Sequence, residues 1–361
     1  LASITVDNGG ADIVSTAYTY NRRRLLTGEA IAAGSHQWAI GYGYNANGHL
    51  DALVLPGGET VSHAPNALGQ PTRAGSYATG ASYFPSGALK QFTYGNGIVR
   101  TFTQNARGLP ERSRDTRGST AVFDESQDYD SHGNVAAISD GLPGTRGDRT
   151  MEYDGLDRLT GTVSPMFGTA AYTYDVFDNL TRVRVSAGPK ARDHRYTYDA
   201  ANRLSLVANT SGGATVASLG YDAQGNLSSR NGQGYQFDHG NRLRSADGLE
   251  HYIYDGHGRR VKATRQGGGS IYSVYGQDGV LRYQRDERRG ETVQYIHLNG
   301  SLVARLKAPI AIATPTLTAP GYSATGSSTV TWRAAPLASK YQLRARLNSG
   351  PWTTIHDAAA T

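Results

Sequence analysis

One short pattern recurs along most of this sequence, and a recurrence at near-fixed spacing decides the class of fold before any other feature does. Its clearest copy is RYTYDAANRLSLV, residues 195–207. Side chains alternate faces along a strand, so Tyr196 and Tyr198 share one face, and Leu204 and Leu206 share one after the turn. Asp199 suits the first position of a type I turn, where its carboxylate accepts backbone N–H groups two residues on. Asn202 tolerates the left-handed conformation that closes such a loop with a bulge. The piece predicts strand, tight turn, strand.

With Asp199 as the anchor, equivalent positions are Asn21, Asn45, Asn66, Phe84, Asn105, Asp130, Asp154, Asp175, Asp199, Asp222, Asp238, Asp255, Gly276 and His297, fourteen units spaced 16 to 25 residues apart. Three residues past each anchor stand Arg24, Gly48, Gly69, Gly87, Gly108, Gly133, Asp157, Asp178, Asn202, Gly225, Asn241, Gly258, Gly279 and Gly300. Thirteen of these fourteen are Gly, Asn or Asp, where composition alone gives roughly three, and these residue types reach φ > 0 at least cost. Eleven units carry Tyr or Phe just before the anchor, and ten carry Leu five past it. The positions expected to build the repeat are Tyr174, Asp175, Tyr198, Asp199, Asn202, Leu204, Tyr221, Asp222, Gly225, Leu227, Tyr254, Asp255 and Gly258.

The units YTYDVFDNLT at 172–181, YTYDAANRLS at 196–205 and LGYDAQGNLS at 219–228 resemble the YD repeats of the Rhs and YD-repeat superfamily. That family takes in bacterial Rhs polymorphic toxins, the B and C components of Tc insecticidal toxins, wall-associated bacterial proteins and the animal teneurins. The resemblance covers about residues 16 to 305. It implies an all-β fold: a long antiparallel strip of hairpins spiralling as part of a hollow shell, with the Tyr and Leu rows packing between neighbours. Five of the first six anchors depart from the consensus, with Asn or Phe84 in place of Asp, and Pro65 or Gln104 replaces the aromatic in two of them. Irregular N-terminal units are expected there.

Composition agrees with many turns joined by half-exposed aromatic strands: Gly 45 and Tyr 23 against Phe 7 and Met 2 in 361 residues. Cysteine is absent, which excludes disulfides, thiolate metal sites and a thiol nucleophile. The chain opens at Leu1 with no targeting segment and holds no apolar run long enough for a membrane span, so it reads as a fragment of a larger protein. Net charge is +6, and 31 of the 36 basic residues are Arg. They are dispersed, often beside a turn as at Arg158, Arg203, Arg242 and Arg259, where pairing with nearby Asp is expected. The two denser runs, Arg22 to Arg24 and Arg285 to Arg289, lack the interleaved aromatics of a nucleic-acid stripe. No nucleic-acid partner is expected.

Near residue 306 the repeat stops. The expected division is 1–305 for the repeat, 306–316 for a linker rich in Ala, Pro and Thr, and 317–361 for a further unit. Within that unit Trp332, Pro336, Tyr341, the hairpin Asn348 to Gly350 and Trp352 follow the order of the first half of a fibronectin type III domain, which they resemble. The resemblance implies the start of an immunoglobulin-like sandwich without its later strands.

Repeated acids at hairpin turns bond their own backbone, so the Asp row is read as structural. The chain has no calcium loop, HExxH helix, nucleophile elbow or P-loop. His132, His239 and His257 lie within turns. No catalytic residue, cofactor or metal is therefore expected, and the chain is read as non-enzymatic. The tripeptide Arg146-Gly147-Asp148 and the sequons at Asn179, Asn209, Asn226 and Asn299 are short matches that turn composition produces by itself. Resemblance to the Rhs and Tc families implies a wall segment that encapsulates and delivers a C-terminal toxin, so the expected partner is the chain's own toxin domain or capping segments. The alternative is a cell-surface scaffold or adhesin whose partner is a wall or surface glycan. Either places the protein outside or on the surface of a bacterium.

Overall fold

The computed structural model describes residues 1–310, apart from 11, 145–146, 187 and 189, together with 317–318, 331–332, 340–345, 351 and 353–359. Every regular element among them is a strand. The first six are β1 (Ser3–Asp7), β2 (Ile13–Tyr20), β3 (Leu26–Ala33), β4 (His36–Tyr44), β5 (Leu50–Val54) and β6 (Thr60–Ser62), paired in sequence order in one antiparallel sheet. From Ala78–Tyr83 to Ser301–Pro309, twenty-two further strands form a second sheet, again in strict sequence order. This strip curls until its last strand returns beside its first. Such a meander is what local hairpins produce when each strand pairs only with its neighbours in sequence.

The wall is one layer thick over much of its course. Strands such as Arg192–Tyr198 and Leu204–Asn209 contain mostly half-buried and exposed residues, and among the described residues between 125 and 245 the buried apolar cluster is Ala170, Val183 and Val185. A sheet closed over a second layer would instead show one fully buried face. Two places have that second layer. Val14 and Ala33 of the first sheet pack on Ile253, Val261 and Tyr272 of the strip. Beside them, Ile31, Ile40, Leu53, Leu55 and Val61 pack with Ala78, Phe92, Val274, Ile296 and Leu298. The closure of the strip is thus held by a core shared between its two ends and the first sheet, which lies over the seam.

Several sequence expectations are corrected in detail. Anchor His297 lies within the strand Glu291–Leu298, and the following turn is a two-residue connection at Asn299 and Gly300, both at positive φ, between paired Leu298 and Ser301. Two turns of the repeat type went unpredicted, at Leu55 to Glu59 and Tyr94 to Ile98. Their first residues are apolar or aromatic, so no acidic letter marks them; backbone bonds close them, and in the second Asn96 Oδ1 also accepts the Ile98 N–H at 3.2 Å. Residues 306–309 are not linker: they complete the strand Ser301–Pro309, pairing with Gln294 to Glu291. Irregularity in the N-terminal units is greatest over residues 63–77, where isolated bridges Pro65 to Pro71 and Ala74 to Ala78 replace a ladder, and continues between Thr79 and Ser82, where the register against Thr93 and Gln91 slips. Beyond residue 310, Leu317–Thr318 pairs with Thr331–Trp332, and Lys340–Ala345 pairs with Thr353–Ala359. The fibronectin-like positions Pro336, Asn348 to Gly350 and Trp352 lie outside the described residues, as do Arg146 and most of 317–361.

Candidate functional site

The row of repeat turns brings chemically similar groups together along the strip. In thirteen of the fourteen predicted units the anchor N–H donates to the carbonyl four residues on, and the N–H three residues on donates back to the anchor carbonyl. The residue three past the anchor has positive φ in every unit, including Arg24 at 61°, the one position that broke the Gly, Asn or Asp rule. Asp199 shows what the acid adds. One carboxylate oxygen accepts the N–H groups of Ala201 and Arg203, each at 2.9 Å, and the other accepts Arg203 Nε at 2.9 Å. These bonds hold the Asp199 carboxyl below its usual range, the Arg203 N–H first and its guanidinium second. Asp175 and Asp222 do the same with Asn179 and Asn226, and Asp255 with Arg259. Asn21, Asn66 and Asn105 accept the same two N–H groups on their amide oxygens, and Asn45 accepts that of His49 alone.

Eight of the ten tyrosines that stand before an anchor, all but Tyr20 and Tyr275, tie their hairpin to preceding backbone. Tyr174 donates its hydroxyl hydrogen to Leu159 O at 2.8 Å, Tyr198 to Leu180 O at 2.9 Å, Tyr221 to Leu204 O at 2.7 Å and Tyr254 to Leu243 O at 2.7 Å. The geometry follows from a bulge. Tyr198 lies opposite Leu204 while Thr197 lies opposite Leu206, so the ladder shifts at the tyrosine in this hairpin as it does at Tyr174, Tyr221 and Tyr254. Such a bulge turns a side chain out of the regular pleat. Burial raises the pKa of Tyr174, Tyr198 and Tyr254, so these phenols remain donors across the ordinary pH range. Leu227 stands opposite Tyr221 and receives no such bond, since the following unit carries Phe237.

From Asn134 to Arg259 the residue four past the anchor joins turn to turn, a column that alternates Asn and Arg as far as Arg242 but that only geometry explains. Arg158 reaches Asp178 at 2.6 Å, Asn179 reaches Asn202 at 2.6 Å, and Asn226 reaches Asn241 at 3.0 Å. The guanidinium carbons of Arg158, Arg203 and Arg259 lie 4.8, 4.7 and 5.4 Å from the ring centres of Tyr174, Tyr221 and Tyr275 in the next hairpin, within cation–π range. Gly225 and Gly258 supply φ of 88° and 75°. His132 binds Asp157 at 2.8 Å, and His257 meets the Tyr18 hydroxyl at 2.8 Å. In the two dense Arg runs, Arg23 donates to Ala46 O and Asn47 O, and Arg288 to Ala263 O and Gly269 O.

These groups bond one another. Among the described residues no group of three or more His, Asp or Glu is arranged to hold a metal ion, and no helix is long and apolar enough to cross a membrane. What the arrangement does chemically is cohesion: the anchor closes each loop, the tyrosine joins adjacent hairpins, and the fourth residue joins adjacent turns.

Comparison with known proteins agrees with that architecture. No curated protein matches the chain. Among solved structures, the Photorhabdus luminescens Tc holotoxin pore with a mutant TccC3 is similar at 16% identity and a TM-score of 0.49, over 90% of this chain and 16% of that one. The TcdB2-TccC3 crystal structure is similar at 17% identity and a TM-score of 0.47, over 93% of this chain and 17% of that one. This chain thus spans about a sixth of the length of either. The sequence profile of the teneurin YD-shell matches residues 88–283. Since that match takes in more than half of the sequence and falls on the strip of latched hairpins, the chain belongs to the teneurin YD-shell family.

Proposed function

We propose that this chain is a non-catalytic wall segment of a larger bacterial YD-repeat protein, which encloses a C-terminal toxin until it is delivered. The observation that carries this reading is the single-layer strip itself. Twenty-two strands run in sequence order with no excursion, and their side-chain chemistry is spent on joining hairpin to hairpin. A wall of that kind separates a volume from solvent without acting on what it holds. In this reading the segment is part of a secreted or surface protein, with residues 1–310 as wall and 317–361 as the start of a fibronectin-like spacer. The partner is the protein's own C-terminal domain or the segments that cap the shell.

Intact mass and peptide mapping of the native full-length protein, purified without denaturant, test the reading. The expected result is a cleaved C-terminal fragment that stays with the shell through gel filtration. An uncleaved chain enclosing nothing would overturn it.

A second reading, a surface scaffold that binds glycans or partner proteins, is supported by one feature. Leu156, Val176 and Phe177, on two successive turns, are 69%, 90% and 73% exposed. Retention of the protein on isolated cell walls, lost in a V176S/F177S variant, would favour this second reading.

A further inference from the structure

Under the closure lies a cavity of about 210 Å³ between residues 50–71, at the end of the first sheet, and residues 278–300, at the end of the strip. Its wall includes Leu50, His63, Pro71, Val280, Arg282 and His297. Arg282 is 7% exposed, and its guanidinium forms one ion pair, with Asp278 at 2.5 Å. The Arg282 Nε and the His297 Nδ1 are buried without a hydrogen-bond partner. A buried donor left unmade is costly, the more so when it is charged, so the unpartnered Nε of this buried cation calls for an acceptor.

Charge and shape restrict what that acceptor is. Asp278 also lines the cavity, but its side chain is 48% exposed and that of Arg282 only 9%, so water screens the acid more than the base. With Asp278 already beside it, the guanidinium suits a singly charged anion better than a phosphate dianion. The guanidinium presents a planar fork that matches a carboxylate. Leu50, Pro71 and Val280 offer apolar surface to a carbon stem.

We propose that this cavity binds a carboxylate, held by the Arg282 guanidinium between His63 and His297, with its carbon stem against Leu50, Pro71 and Val280. The ligand touches both the first sheet and the last strands of the strip, so its binding also locks the closure. The site does not depend on the enclosure reading. The carboxylate belongs either to a small free acid or to an acidic side chain of an enclosed or partner polypeptide.

Calorimetric titration of the full chain with sodium butyrate, with sodium chloride at matched ionic strength as blank, tests the site. A peptide carrying a single Glu, and inorganic phosphate, form the other two arms. Saturable one-site binding of butyrate or of the peptide is expected, and the tighter of the two identifies the source. Affinity falls about tenfold or more in R282Q. Because R282Q also unpairs Asp278, V280W is the companion variant: it fills the cavity, leaves the ion pair in place, and abolishes binding. No saturable binding by either carboxylate, unchanged affinity in V280W, or tighter binding of phosphate than of both carboxylates would overturn the proposal.

Discussion

The Tyr198 hydroxyl donates to the Leu180 carbonyl at 2.9 Å, across the boundary between two consecutive hairpins. The ring lies opposite Leu204 in its own hairpin, so one residue supports a hairpin from within and joins it to the one before. Y198F removes only the bond and should cost about 1 kcal/mol, while Y198A also removes a half-buried ring and should cost about 2–4 kcal/mol. Urea denaturation of both variants measures the difference. Equal losses would mean that the ring contributes nothing beyond its hydroxyl.

Gly225 separates backbone strain from crowding. Its φ is 88°, and a Cβ built on it would meet no atom within 4 Å. G225V should therefore lose stability through conformation alone, by about 1–3 kcal/mol. G225N should lose less, because Asn202 and Asn241 hold the corresponding place at φ of 62° and 58°. Thermal unfolding that ranks Val level with Asn would argue against this cause.

At the anchor, the acceptor matters more than the charge. D199N keeps an oxygen for the Ala201 and Arg203 N–H groups, as Asn21 and Asn105 do in their own turns, whereas D199A leaves both without it. Melting temperatures should fall in the order wild type, D199N, D199A. A D199N value as low as that of D199A would show that the ion pair with Arg203 was the larger contribution.

Acidification should act in two stages. Burial lowers the pKa of His36, His63 and His297, each at or near the closure. The unfolded chain then binds more protons than the folded one, so stability is full above the unfolded value near 6.5 and declines as pH falls below it. The turn row follows at lower pH. Asp154, Asp175, Asp199 and Asp222 are lowered by bonds within their own turns, and Arg182 holds Asp193 down to about 2. Their contribution is present above the unfolded carboxylate value and disappears as pH falls through the folded ones. His132, raised by Asp157, acts in the opposite sense, but at an exposed pair that water and salt screen. Hydrogen exchange between pH 7 and 5 should show the strands Glu291–Leu298 and Ser301–Pro309 loosening before the strands of residues 149–209. The reverse order would contradict this account.

How much was legible depended on how local the cause was. Asp199, Asn202 and Gly225 announce themselves because a turn's requirements lie within five residues: an acceptor at the start, a residue tolerant of positive φ at the fourth place, and alternating strands on either side. The family resemblance extended that logic from one hairpin to a wall. It failed at Leu55 and Tyr94, where a turn forms without the marking letter, and at His297, whose column matched while the residue that opens its turn had moved one place on, to Leu298. The tyrosine latch was half visible. Its aromatic column could be read, but its acceptor is a backbone carbonyl in another hairpin, and every residue type carries one of those.

The sequence by itself determined the hairpins, their order and the residues that close them, because each of those choices is made by neighbours along the chain. Tertiary structure alone decided where the strip stops curling and what covers the seam. Tyr18 meets His257, Glu29 accepts the Gln277 N–H at 2.8 Å, and Asn8 bonds Tyr254. Contacts between partners more than two hundred residues apart leave no period in a sequence. They depend on the twist and bulge accumulated over every hairpin between them, and that sum also brings Arg282 to a cavity shared with the first sheet.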